Sequence, residues 1–569
     1  VKSLESILKE IKKGMTRTRL LTYITNISSF HRIQGTKYLI DAGNYIKDVL
    51  EDSNLYVEFL DYSYRDPHPW LPPLIGWWVR DGEVYLLDKE EKILSSFSHA
   101  STAIVAHSPP GYFEGRVTYV GREKEIPEGV EVVLLDGGGI LKYLEAVEKG
   151  AQAVLFFRRD AAVNALPYIG LFPTPQHLPK LKAPALTLSR RDAESIISRL
   201  AAGEEVKVKG FVDSGFTDPS PIRVIYASLS PRNDGGGLTV MTAHYCHPAG
   251  TINDNVSGAA SLLLAASALS KASPAFRKRF NIAFGWVPEH YGSLPLVKRL
   301  VSEGFQVQGA INLDMVGEKQ SLTGSTLYFV RPPIHMLSSF EAATYQIISH
   351  ELSPKQGFHV RGIHKGRLRF DILNYEYGSD HDSFIAYGIP SVSLINWPDK
   401  YYHSSLDFID KVDWDGLIKV AYASMKAALI NSSILSVYTH YKLFVKGMDL
   451  MQVSRDGMLV ELRRILYEEG LETFLRPPKE IVSKGRGIVT VGGLSRSAQS
   501  GPCLDLVKLG RSMGWLSTAL ILTVKLASAG IGKEGLKRAV EAELGLNVEE
   551  DVFAKIIQCL AEKGVLGEL

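Results

Sequence analysis

The feature that most constrains this chain lies between residues 220 and 430. Strongly apolar runs, LTVMTAH, FNIAFGWV, GAINLDMVG and later SVSLIN at Ser391–Asn396, alternate with helical patterns. The helical patterns are Ser257–Lys271, rich in Ala and Leu, and Pro295–Glu303. A strand with no polar side has to be covered on both faces. The alternation therefore predicts an α/β fold: a mainly parallel sheet sandwiched by helices.

In an open sheet of this kind, ligands bind beyond the carboxyl ends of the strands. The residues there are chemically loaded. His244, Cys246 and His247 follow LTVMTA, and Asp254 precedes the Ser257 helix. Glu289 and His290 follow FNIAFGWVP, Asp314 ends GAINLD, and Tyr401, Tyr402 and His403 follow SVSLINWP. A single such residue is usually structural. Four strand ends carrying His, Asp or Glu predict a metal centre.

Two neighbouring divalent cations need carboxylates to offset charge and imidazoles to complete their shells, with one carboxylate bridging. Asp254, set by the turn before its helix, is the expected bridge. His244 and Asp314 are expected to complete one shell, and His290 and His403 the other. Glu289 is left as the general base, a carboxylate that can take a proton from the attacking water.

The segments HYCHPAGTINDNVSG, WVPEHYG, INLDMVG, GSDHDSF and YYHSS resemble the M28 family of co-catalytic zinc aminopeptidases and their carboxypeptidase relatives. His244 matches the family's first His ligand and Asp254 opens its D-x-x-S-G element. Asp314 matches the D-M strand end, and His403 the Tyr-His element. The resemblance implies one or two zinc ions, a peptide substrate, and Tyr402 as a donor to the tetrahedral intermediate. Cys246 stands where the family has an aspartate, and Glu289-His290 where it has a Glu-Glu pair. Cys246, His247, Asp380 and His381 are expected to support the ligands from outside the shell.

The domain at 1–85 and 217–430 is expected to be interrupted by residues 86–216. There, short strands mix with helices at Leu141–Lys149 and Arg191–Leu200, and GRVTYVG, ILKYLEAVEKGAQAVLFF and APALTLSRRDAESIISRLAAGEEVKVKG resemble a protease-associated (PA) domain. Residues 431–569 should be helical. They include a helix at Gly457–Glu469, the loop SKGRGIVTVGGLSR, and three terminal helical patterns that resemble a winged-helix unit. Charges at that end nearly cancel, which argues against DNA and for packing or homo-oligomerisation.

Composition adds exclusions. A net charge of +2 over 569 residues gives no pull toward nucleic acid or an anionic membrane. The most apolar late stretch, Trp515–Ala527, is short and carries Lys525, so no membrane span is expected. Three cysteines, Cys246, Cys503 and Cys559, suggest a reducing, cytoplasmic setting without a disulfide framework. The first expectation is thus a zinc-dependent exopeptidase of the aminopeptidase type. Two alternatives stand beside it: a one-metal acyltransferase of the glutaminyl-cyclase type and a non-catalytic binding relative.

Overall fold

The computed structural model describes residues 4–65, 71–122, 124–229, 237–333, 336, 338–353, 368–432, 501–510, 512–528 and 533–566. The helix expected at Gly457–Glu469 and the loop SKGRGIVTVGGLSR lie outside the described residues.

Strand β1 (Tyr56–Tyr62) opens a first sheet. The chain then builds a second sheet from β2 (Gly76–Leu87), β3 (Lys92–Ser96), β4 (Gly111–Val120), β5 (Val132–Asp136), β6 (Ala153–Phe157), β7 (Ala185–Thr187) and β8 (Lys207–Thr217). It returns to the first sheet with β9 (Ile222–Ser228), β10 (Leu238–His244), β11 (Ile282–Val287), β12 (Val307–Leu313), β13 (Thr326–Val330), β14 (Phe370–Leu373) and β15 (Ser391–Trp397).

The first sheet has the order β1-β9-β11-β10-β12-β15-β13-β14. Its centre, β11-β10-β12-β15, is parallel throughout. Every residue of β10 and β11 is buried, as their mostly apolar sequences require. One face is covered by the helices Arg17–Ser28, Lys37–Glu51, Gly258–Leu269 and Trp414–Ser432. The helix Gly258–Leu269 is buried on all sides, which explains its Ala- and Leu-rich composition. The other face carries the helices Ser293–Ser302 and His381–Ala386, and the C-terminal helices share that hydrophobic cluster.

The second sheet has the order β3-β2-β8-β4-β5-β6-β7. Because β2 pairs with β8 along its whole length, the inserted domain starts at Gly76, ahead of the expected boundary at residue 86. The C-terminal unit consists of helices Gly501–Leu509, Leu516–Ser528, Lys533–Leu544 and Glu550–Glu562, with no strand among its described residues.

The expectation of a chain without a disulfide framework needs one correction. Cys503 and Cys559 form a disulfide across the first and last of these helices. They lie 56 residues apart in sequence, and only helix packing makes them neighbours. Cys246 stays free and buried. No helix among the described residues is long and apolar enough to cross a membrane.

Candidate metal centre

The parallel strands aim their carboxyl ends at one rim of the sheet, and the loaded residues meet there. His244 is the last residue of β10 and Asp314 follows the last residue of β12. His244 Nε2 lies 3.4 Å from Asp314 Oδ1 and 3.4 Å from Asp254 Oδ1. Asp254 turns its other oxygen the opposite way. Its Oδ2 lies 2.9 Å from His403 Nε2 and 3.5 Å from His247 Nε2. Two ligand sets thus share one carboxylate: His244–Asp254–Asp314 and His247–Asp254–His403, each with its donor atoms within 4.8 Å of one another.

The chemistry of this donor set fits a divalent cation. His244 Nε2 and Asp314 Oδ1 are buried and have no hydrogen-bond partner. Such orphaned, converging donors are costly unless something else satisfies them. Burial opposes charge on His244, yet Glu289, Cys246 and Asp314 outweigh it and hold its pKa well above the usual imidazole value. Burial likewise opposes charge on Asp254, but His247, His403 and His244 keep its carboxyl below the usual range. His247 goes the other way: burial pushes it down to about 3, so it is a neutral imidazole suited to ligation.

Asp254 is held by its neighbours. Its backbone N–H and that of Asn253 donate to the Asp407 carboxylate at 3.0 and 2.7 Å. The Asn255 amide donates to the Leu313 carbonyl at 2.9 Å, while its oxygen accepts from Gly258 and Met315 N–H groups, both at 3.0 Å. The D-x-x-S-G glycine follows from this contact. A Cβ at Gly258 would sit 2.2 Å from the Leu313 carbonyl oxygen.

Glu289 stands beside both sets. Its carboxylate lies 4.0 Å from His247 Nε2, and its backbone N–H donates to Cys246 Sγ at 3.4 Å. Cys246 Sγ also meets His244 Nδ1 at 3.4 Å. Burial, helped by Asp314, Asp254 and Asp380 and resisted by His244, raises the Glu289 pKa well above the carboxylate range. Tyr402 stacks on His403 with ring centroids 3.8 Å apart and meets the edge of Trp397 at 5.1 Å. Burial raises its pKa well above 10, which keeps the phenol a donor.

His290 is not brought into either ligand set. Its backbone N–H donates to Asp380 Oδ1 at 2.8 Å and its ring stacks on Tyr377. His247 occupies the place opposite His403 that the sequence reading gave to His290. Asp380 holds the His290 backbone and accepts from Ser293 Oγ at 2.6 Å, and His381 Nε2 bonds the Glu376 carbonyl at 2.9 Å. Both therefore shape the loop behind the site.

Four residues carry more of the site than the sequence suggested: His247 itself, Asp407, Arg32 and Tyr168. Arg32 is buried with its guanidinium on the carbonyls of Tyr245, Ile27, Phe30 and Thr251, and its own carbonyl accepts the His247 N–H at 2.8 Å. No motif marks Arg32 or Tyr168, because both act across the fold from distant segments. Above the carboxylates a cleft of about 210 Å³ opens, walled by Met315, Val330, Leu373, Tyr377, Ile395, Trp397 and Tyr402.

The description Peptidase family M28 fits residues 225–428, where that family's model matches the chain. No curated protein sequence matches the chain. Among solved structures, a peptidase M28 precursor from Shewanella amazonensis is similar with a TM-score of 0.55 at 14% identity, covering 76% of this chain and 96% of that one. A zinc aminopeptidase from Bacillus subtilis is similar with a TM-score of 0.50 at 17% identity, covering 74% of this chain and 96% of that one. At such identities the structures speak for the fold, and the family match speaks for the strands and loops that carry the donor set. What the chain shares with peptidase family M28 is thus the match over residues 225–428, the segment that holds His244, Asp254, Glu289, Asp314 and His403.

Proposed function

We propose that this protein is a two-metal exopeptidase of the aminopeptidase type, hydrolysing short peptides with Glu289 as general base. The observation that carries the reading is Asp254, whose two carboxylate oxygens each face a separate ligand set. His244 and Asp314 would hold one zinc ion, His247 and His403 the other, with Asp254 shared. Ions bound there supply Lewis acidity toward a water molecule and the scissile carbonyl.

The remaining chemistry belongs to the chain's own groups. The Glu289 carboxylate takes a proton from the attacking water and passes it to the leaving amine nitrogen. The protonated Tyr402 hydroxyl, in the cleft wall, is the donor toward the developing oxyanion. The cleft lining mixes apolar side chains, among them Met315, Val330, Leu373 and Ile395, with the polar Glu376, Ser379, His381 and Ser393. At about 210 Å³ the cleft is smaller than the ~300–1,000 Å³ of typical ligand pockets. That size suits one terminal residue.

The test combines metal analysis with hydrolysis of leucyl anilide and of N-blocked leucyl anilide. Two zinc ions per chain and cleavage of the free amine alone are expected. Cleavage of the blocked substrate only would overturn the aminopeptidase assignment. One tightly bound ion with no anilide hydrolysis would instead favour an acyltransferase.

A further inference from the structure

We propose that Tyr168, carried by the inserted domain, is a positioning residue for the His247–His403 ligand pair, so that metal binding is a joint property of insert and peptidase sheet. The proposal rests on the two-metal reading above. The Tyr168 ring meets His247 edge-on at 5.3 Å and 70°, and His403 at 5.1 Å and 68°. One aromatic side chain therefore walls both imidazoles at once. Its backbone N–H donates to the His403 carbonyl at 2.6 Å. The neighbouring residues extend this seam: Pro167 bridges to Ser404, Leu166 N–H donates to Ser405 Oγ at 3.0 Å, and Ser405 N–H donates back to the Leu166 carbonyl at 2.9 Å.

The two histidines need such support. Their backbones lie in the left-handed region, at φ +100° for His247 and +49° for His403. Non-glycine residues hold such conformations only where their surroundings over-determine them. A metal-ligating histidine is ordinarily oriented by a hydrogen bond to its other ring nitrogen. His247 Nδ1 is buried and has no such partner. Packing must then orient the ring, and its aromatic neighbours are His244, His403 and Tyr168. The first two are ligands themselves, so Tyr168 is the neighbour free to act as a fixed wall. It is 9% exposed and immobilised by the seam.

The experiment is zinc titration of the metal-stripped full chain against a competing chelator, for the parent, Tyr168→Leu and Tyr168→Phe. Tyr168→Leu is expected to weaken one of two sites by about 10–100-fold, the usual effect of losing an outer-shell partner, and to leave the other unchanged. Tyr168→Phe keeps the ring edge and should restore both affinities. Two unchanged sites in Tyr168→Leu, or a Tyr168→Phe as weak as the leucine variant, would overturn the proposal. In the parent protein, zinc should also slow amide hydrogen exchange at Leu166 and Tyr168. No change there overturns it even if the leucine variant does not fold. A parent chain that takes up no zinc overturns the two-metal reading itself.

Discussion

The two ligand sets around Asp254 are built by different means. His244 and Asp314 leave the carboxyl ends of adjacent parallel strands, β10 and β12, whose register is fixed by the ladder between them. His247 and His403 sit on loops, in backbone conformations that L residues rarely adopt. Their places are set by Arg32 from the N-terminal helical segment and by Tyr168 from the insert. Strand-end ligands are rigid because the sheet is rigid. Loop ligands are rigid only to the extent that distant segments hold them.

The largest effect should come from the residue standing between the sets. Glu289→Gln is expected to keep both ions and the fold while losing about 10²–10⁴ in kcat on a peptide anilide. Turnover within threefold of the parent would remove Glu289 from the mechanism. Loss of metal together with activity would make it a ligand and blur the boundary between the two sets.

Next come the ligands themselves. His244→Ala and His247→Ala should each release one zinc ion and retain the other, whereas His290→Ala should retain both. Metal content measured after dialysis separates these outcomes. A His290→Ala protein that loses an ion while His247→Ala keeps two would invert the comparison, returning the second set to the strand-end pattern.

A third substitution probes the rigid side without touching a ligand. Gly258→Ala places a methyl group against the Leu313 carbonyl, at the junction of the Asp254 turn with β12. Overpacking of this kind typically costs about 1–3 kcal/mol. A lowered melting temperature with a parallel loss of zinc affinity in the His244 set is expected. A Gly258→Ala chain as stable as the parent would show that the turn can yield.

The smallest effect lies outside both sets. Lys525, in the C-terminal unit, is buried with its ammonium directed at the Ala386 carbonyl, and burial pushes its pKa down to about 7. Between about pH 7 and the ordinary lysine value near ~10.4, the unfolded chain holds a proton that the folded chain has released. Stability should therefore rise with pH across that window, by at most ~1.4 kcal/mol per pH unit, and lose this contribution as pH falls toward 7. Denaturation at several pH values should show that slope in the parent and its absence in Lys525→Met, with zinc binding equal in both.

Much of this could be read from the chain alone. Apolar strands in LTVMTAH and FNIAFGWV dictate burial on both faces, and that dictates helices on both sides of a parallel sheet. The ends of those strands then have to meet at one rim, so His244, Asp254 and Asp314 were legible as partners from local sequence. His403 was legible because it follows the last parallel strand, β15. His247 and His290 were not separable in this way. Both are histidines just beyond a buried strand, and only the turn geometry of each loop decides which ring faces Asp254. The pairing of Cys503 with Cys559, the start of the insert at Gly76, and the roles of Arg32, Tyr168 and Asp407 depend on contacts between segments far apart in sequence. Periodicity and strand-end position report what a residue's own element does. They carry no record of which distant element will lie against it, and that the tertiary packing alone decides.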